Sequence, residues 1–298
     1  MTTALSRRRF LSISAAVIAA GPAAAASEKS ARWQGRAMGA PAQMVISGLD
    51  QAAAAPLFAR VEAELLRLEK IFSLFHPGSQ LTRLNTAGHL TAPAPELLDV
   101  LSLSASLNAA TKGAFDPTVQ PLWQALALGQ DIPNPVVGWQ FVSFDSTEVR
   151  LQRPEMALTL NGIAQGYITD RVAGLLRSAG LQDVLLDMGE IAALGQRPDG
   201  SAWQVGVATP DGELRSKLTL SDRALATSAA AGTLVGDAQS HILDPQTGKG
   251  AEPTRLVSVS APRAALADGL STALCLLPKA AGPKVIRQFE GAKLEYSA

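Results

Sequence analysis

Cysteine is nearly absent from this 298-residue chain. Cys275 stands alone, so an intrachain disulfide, an iron–sulfur cluster and a cysteine-built zinc site are all excluded. Its setting in the apolar run ALCLL reads as a buried, inert thiol. Histidine is nearly as scarce, with only His76, His89 and His241, which argues against a histidine-rich metal centre. Charge of one sign is missing too: 26 Lys+Arg balance 26 Asp+Glu. A formal net charge of zero excludes a chain that binds nucleic acid or an anionic membrane surface through bulk electrostatics. No internal repeat, heptad run or low-complexity tract follows residue 26, and no linker divides the chain into lobes.

What is present is apolar mass. With 47% hydrophobic residues the chain can bury a large core. The N-terminus reads SRRRFL, then an Ala/Ile/Val/Leu stretch, then Gly21-Pro22 and four alanines. A basic start, a short apolar segment and an Ala-x-Ala site predict a removable twin-arginine export signal over residues 1–26. Residues 27–298 are then one exported domain, and the expected location is the periplasm.

Helical spacing of Leu57, Val61, Leu65, Leu68 and Phe72, behind an Asp50 cap, predicts a helix from about Ala52. Further helices are expected from Pro93-Pro95 to Thr111, from Ala264 to Leu277 and over Pro283–Phe289. Strands are expected at Gln43–Ser47, Gln140–Phe144, Glu148–Gln152, Met156–Leu160, Val184–Met188, Trp203–Ala208, Ser216–Leu220 and Leu256–Ser260. Ser27–Ala37 reads as loose apart from Trp33. Paired strands mixed with helices, without regular alternation, predict an α+β fold of layered mixed or antiparallel sheets with packed helices.

The stretch TLNGIAQGYITD, Thr159–Asp170, passes from an alternating run through glycines into a helix. Free N–H groups at such a helix start suit a phosphate, and turn carbonyls suit a hard cation. A plain strand–turn–helix connection is the other reading. Asp268 and Thr272 stand four apart in ADGLSTAL, on one helical face. They supply half of a magnesium shell, or Asp268 is a simple cap. His241 precedes the turn in HILDPQTG, where it acts as a general base or is an incidental surface residue. Asp116 in AFDPT begins a turn or lines a site. Asp187 and Glu190 in LLDMGEI form a carboxylate pair or a solvated strand end. Ser228 lies outside any G-x-S-x-G elbow, which argues against a serine hydrolase.

Their order along the chain carries more than any one of them. The succession MGA, SLFHPGSQLTRLN, GAFDPTVQPLW, NGIAQGYITD, VLLDMGEIAALG, WQVGVATP, ATSAAAG, HILDPQTG and ADGLSTAL resembles the ApbE family of FAD:protein FMN transferases over Met38–Leu277. The export signal and the DMGEI variant further resemble the NosX branch, accessory proteins of nitrous oxide respiration. The resemblance implies magnesium-dependent cleavage of FAD, with FMN joined through its phosphate to a Thr or Ser of a membrane-anchored respiratory partner. It implies that Asp268, Thr272 and a main-chain carbonyl, Ala164, bind the magnesium ion and that His241 takes the acceptor's proton. Met38, Phe75 and Asp116 would line the flavin or adenine end of FAD, with Gln165, Gly166, Thr227 and Ser228 near the phosphates. Three departures stand out: Gln165 where the family usually has Lys, Ala40 where it has Thr, and Glu190 where it has Gly. They motivate the alternative of a periplasmic protein that holds FAD without cleaving it.

Overall fold

Asp50 accepts a hydrogen bond from Ala53 N at 2.9 Å and so starts helix α1, Gln51–Phe72. Its buried stripe runs Ala54, Phe58, Val61, Leu65, Leu68 and Phe72. Phe58 takes the buried place expected of Leu57, which is only half covered. The structure, a computed structural model, describes residues 29–130, 137–236 and 238–298. The expected export signal lies outside them. Among the described residues no helix is long and apolar enough to cross a membrane.

Ahead of α1, β1 (Ser30–Ala37) pairs antiparallel with β2 (Ala40–Ser47) along its whole length. This overturns the reading of Ser27–Ala37 as loose over Ser30–Ala37; Ser27 and Glu28 lie outside the described residues. The segment SARWQGRA alternates exposed and buried positions, but with small residues that carry little hydrophobic signal. Met38 and Gly39, both at positive φ (51° and 87°), make the two-residue turn.

After α1 come α2 (Gln80–Ala87), β3 (His89–Thr91), α3 (Pro95–Thr111) and α4 (Gln120–Leu128). β4 (Val142–Phe144) and β5 (Glu148–Leu151) join β3 in a small sheet with β5 at its centre. Met156–Leu160 is not a strand of any sheet. Its backbone is instead held by a side chain: Asn85 Nδ2 donates to Leu158 O and Leu158 N donates to Asn85 Oδ1, both at 2.8 Å. A carboxamide here stands where a neighbouring strand would be.

Helix α5 (Ala164–Ser178) follows, then the hairpins β6 (Val184–Asp187) with β7 (Ile191–Leu194) and β8 (Trp203–Ala208) with β9 (Leu214–Leu220). β10 (Arg223–Ala229), the short pair β11 (Leu234–Val235) and β12 (Gln239–Ser240), and β13 (Leu256–Ala261) lead into α6 (Ala264–Leu276). α7 (Gly282–Ile286) and β14 (Lys293–Ser297) close the chain.

The main sheet has seven antiparallel strands in the order β1-β2-β6-β7-β10-β13-β14. Strand alternation sends Leu186, Ala226 and Val257 into the large core with α1, α3, α5 and α6. It sends Leu185, Leu225 and Leu256 to the opposite face, under Trp203, Val205 and Val207 of the β8–β9 hairpin. The result is the expected α+β layering, with the sheet between helices and a hairpin. α6 is fastened at its far end by Arg255, whose guanidinium donates to the carbonyls of Leu274, Cys275, Leu277 and Ala298. Cys275 is buried, and that burial pushes its thiol pKa up to about 12, consistent with an inert side chain.

Candidate functional site

Helices α5 and α6 cross with almost nothing between them. A Cβ at Gly166 would lie 2.4 Å from the carbonyl oxygen of Ala264, so only glycine fits there. At this crossing each helix caps the other. Asp170 of α5 accepts from Ala264 N (2.6 Å) and Ala265 N (3.0 Å), and Asp268 of α6 accepts from Gly166 N (3.1 Å). The anion at the start of α5 is therefore a carboxylate of the chain itself. Burial raises the pKa of both aspartates above the ordinary 3.8.

One turn after Asp268, Thr272 presents its hydroxyl 3.3 Å from Ser228 Oγ on β10. Ser228 also bonds Ser271 Oγ at 2.8 Å, which ties the strand to the helix. Gly162 closes the other side: a Cβ there would sit 2.9 Å from Thr272 Oγ1. The turn at Asn161-Gly162 thus lies directly on Thr272.

His241 comes in on the loop after β12. Its Nδ1 lies 3.0 Å from Thr233 O. A carbonyl only accepts, so Nδ1 carries the proton and Nε2 keeps the lone pair. Burial pushes the imidazole below its ordinary 6.5, which favours the neutral, basic form at neutral pH. The turn that follows is held by Asp244, which accepts from Gln246 N at 2.8 Å and from Thr247 Oγ1 at 2.9 Å.

A single cleft gathers Asp116, Gln165, Ser228, His241, Asp268 and Thr272. Asp116 also braces its own loop: Oδ1 accepts from Thr118 N and Oγ1, and Oδ2 from Trp139 N. Burial raises its carboxyl, and these bonds act against that rise. Among the described residues lining the cleft there is no lysine or arginine. Trp123 is shared with a second groove, about 730 Å³ in volume, that holds Phe75, Asn85 and Arg153. The Arg153 guanidinium stacks 3.3 Å from the centre of the Phe141 ring.

The remaining sequence candidates lie around this cleft rather than on it. Met38 sits in the β1–β2 turn against the main core, and Ala40 is the buried first residue of β2. Ala164 is buried as the first residue of α5, two positions past Gly162. Gly166 gives its N–H to Asp268 at the helix crossing. Thr227 faces the opposite side of β10 from Ser228, with its hydroxyl 3.0 Å from Ser258 Oγ. Trp123 and Asn161 line the cleft although neither stands out as a site residue in the sequence. Both sit inside motifs already singled out, close to Pro121 and Gly162.

Behind Gln165 lies the β6–β7 turn. A Cβ at Gly189 (φ 105°) would be 2.4 Å from Gln165 Nε2, so this turn is pressed against that side chain. Glu190, the next residue, is 3% exposed, and its Oε2 is buried without a hydrogen-bond partner. Burial first, then the charges of Asp268 and Asp187, raise its carboxyl well above the usual range. Asp187 is half-buried, accepting from Gln43 Nε2 and Gly189 N.

The donors of this corner are all oxygens: a buried carboxylate, a hydroxyl and turn carbonyls. That set suits a hard ion such as magnesium, which keeps places for water or phosphate. Among the described residues no three His, Cys, Asp or Glu side chains are grouped to hold a metal by themselves. A mixed set around Asp268 and Thr272 is what remains.

Known proteins resemble this chain over most of its length. It is 29% identical over 284 residues to a FAD:protein FMN transferase of Klebsiella pneumoniae strain 342, covering 85% of this chain and 80% of that one. The flavinyl transferase ApbE of Pseudomonas stutzeri superposes with a TM-score of 0.73 at 28% identity, covering 87% of both chains. The flavin transferase ApbE of Vibrio cholerae shares the fold at a TM-score of 0.77 and 24% identity, over 91% of this chain and 97% of that one. Residues 38–295 match the ApbE family model, and the chain belongs to the ApbE family.

Proposed function

We propose that this protein is a FAD:protein FMN transferase that moves FMN from FAD onto a Thr or Ser hydroxyl of an acceptor protein. One observation carries the reading: His241, with its Nδ1 tied to Thr233 O, shares one cleft with Asp268 and Thr272. The activity for which its relatives are named supports it.

The acceptor hydroxyl gives its proton to His241 Nε2 as its oxygen bonds to the FMN-side phosphorus. The phosphoanhydride P–O bond breaks, and AMP leaves with the bonding electrons. Thr233 O holds the imidazole in the tautomer that can take that proton. Asp268 and Thr272, with a carbonyl of the 161–164 turn such as that of Ala164, would hold magnesium. A bound magnesium ion offsets charge on the pyrophosphate oxygens. Trp123 joins the cleft to the groove of Phe75 and Arg153, which gives an elongated dinucleotide room for its far end.

The export signal and the NosX-like features support a periplasmic enzyme acting on a membrane-anchored respiratory partner in nitrous oxide reductase maturation. The absence of a lysine among the described residues lining the cleft and the buried Glu190 favour a second reading, a flavin carrier that holds FAD uncleaved. Mass spectrometry of an acceptor domain incubated with the protein, FAD and magnesium separates the two. The transferase adds one FMN and releases AMP, and Asp268→Ala abolishes both. Tight FAD binding with no gain on an authentic acceptor would leave only the carrier.

A further inference from the structure

Glu190 is held on almost every side. Its backbone carbonyl receives Met188 N at 3.1 Å and Thr169 Oγ1 at 3.3 Å. Thr227 lies beyond the last paired residues of β7 and β10, Ile191 and Leu225, and its backbone N–H turns to the Glu190 carboxylate instead. One oxygen thus completes a strand edge. The other, Oε2, is buried with nothing to bond. A buried carboxylate with one bare oxygen costs several kcal/mol unless a cation or a proton donor reaches it.

Resting on the magnesium reading above, we propose that Glu190 is a positioning carboxylate of the cation site, its Oε2 receiving a water held by the ion at Asp268 and Thr272. Three features of the molecule carry this. The orphaned oxygen is buried, and the charge of Asp268 acts on its carboxyl. The adjoining turn packs on Gln165, a lining residue of the cleft. No lysine or arginine of the described lining competes for the carboxylate. Burial favours the protonated form of this carboxyl before an ion enters. An entering divalent cation draws the proton off, and the second charge then adds to the hold on the ion. Outer partners of this kind change metal affinity by about 10–100-fold when removed.

The test is a Mn²⁺ titration of the purified protein, with and without FAD, following the free ion by electron paramagnetic resonance. Glu190→Gln keeps one oxygen for the Thr227 N–H and replaces the other with an NH2 group that cannot ionise. The expected result is one Mn²⁺ bound by the wild type, a Kd at least about tenfold weaker in Glu190→Gln, and no ion in Asp268→Ala. Without metal, Glu190→Gln should melt no lower than the wild type, because the group it replaces is a buried carboxyl whose Oε2 has no partner. An unchanged Kd in Glu190→Gln, with Asp268→Ala empty, overturns the role of Glu190 and leaves the Asp268 site standing. A metal-free melting temperature that falls while Kd stays constant gives Glu190 a structural role only and overturns the proposal too. Wild-type protein that takes up no Mn²⁺, or Asp268→Ala that takes it up equally, overturns the cation site and the proposal together.

Discussion

Gly166 and Asp268 meet where α5 crosses α6: the glycine's N–H donates to the aspartate's Oδ2 at 3.1 Å, and its missing side chain lets the two backbones touch. Asp170 returns the same service to the first turn of α6. Asp268 is therefore positioned by a helix crossing rather than by a flexible loop, and the crossing depends on one hydrogen atom in place of a methyl group.

Gly166→Ala tests this. The new methyl would meet backbone, which cannot rotate away, so the helices must separate. The expected cost is at least about 1–3 kcal/mol of stability, the range for overpacked interiors, read from urea denaturation. Divalent-ion affinity should fall with it, because Asp268 loses its partner as the helices part. Full stability with only FAD binding impaired would mean that Gly166 acts on the ligand directly.

His241 yields a pH prediction. Its neutral form is the base, and burial holds its pKa below 6.5. As pH rises through that lowered value the active form fills, so kcat/KM should climb along an acid limb with a midpoint below 6.5 and then level off. His241→Gln should remove the limb and slow transfer by about 10²–10⁴-fold while FAD still binds. A midpoint above the ordinary histidine value would contradict the buried setting. Loss of FAD binding would make His241 structural.

Asn85→Ala probes a different contact. It leaves the Leu158 N–H and C=O without partners, each worth about 1–3 kcal/mol when buried. A loss of about 2–4 kcal/mol in denaturant melts is expected, on the low side if water reaches the gap. Asn85→Asp should be no rescue: it can still accept from Leu158 N, yet it brings an acceptor against the Leu158 carbonyl. Near-wild-type stability of either variant would show that packing and the Thr159 N–H bond to Pro117 O hold Met156–Leu160 without Asn85.

That segment also marks how far the sequence could be read. α1 and α6 were legible because their apolar residues recur with helical spacing and Asp50 or Pro278 marks an end. Met156–Leu160 alternates like a strand, but its partner is a side chain 73 residues away, which no local pattern encodes. β1, β7 and β10 went unread because SARWQGRA, IAAL and RALATSA owe their strand character to neighbours rather than to large apolar residues. Of the candidate site residues, the order of motifs singled out His241, Asp268 and Thr272, and the fold brings these three to one cleft. Thr227 and Ser228 could not be told apart in sequence. Register sends one to Ser258 and the other to Thr272. The isolation of Glu190 exists only in three dimensions.

Two departures from the family pattern are neighbours in space. Where the resemblance to the family leads to an expected Lys and Gly, this chain has Gln165 and Glu190, and the turn bearing Glu190 packs on the Gln165 amide. Restoring only the lysine, Gln165→Lys, places an ammonium beside a buried carboxylate, and the two should pair. The ammonium is then withheld from phosphate and the carboxylate from the ion, so Mn²⁺ affinity should drop about as far as in Glu190→Gln. Restoring both, Gln165→Lys with Glu190→Gly, frees the lysine to face the pyrophosphate and should tighten FAD binding. The two changes are thus expected to be non-additive, with a coupling of about 0.5–3 kcal/mol in a double-mutant cycle on FAD affinity. Additive effects would mean that Gln165 and Glu190 act independently, and that their closeness has no bearing on the ligand.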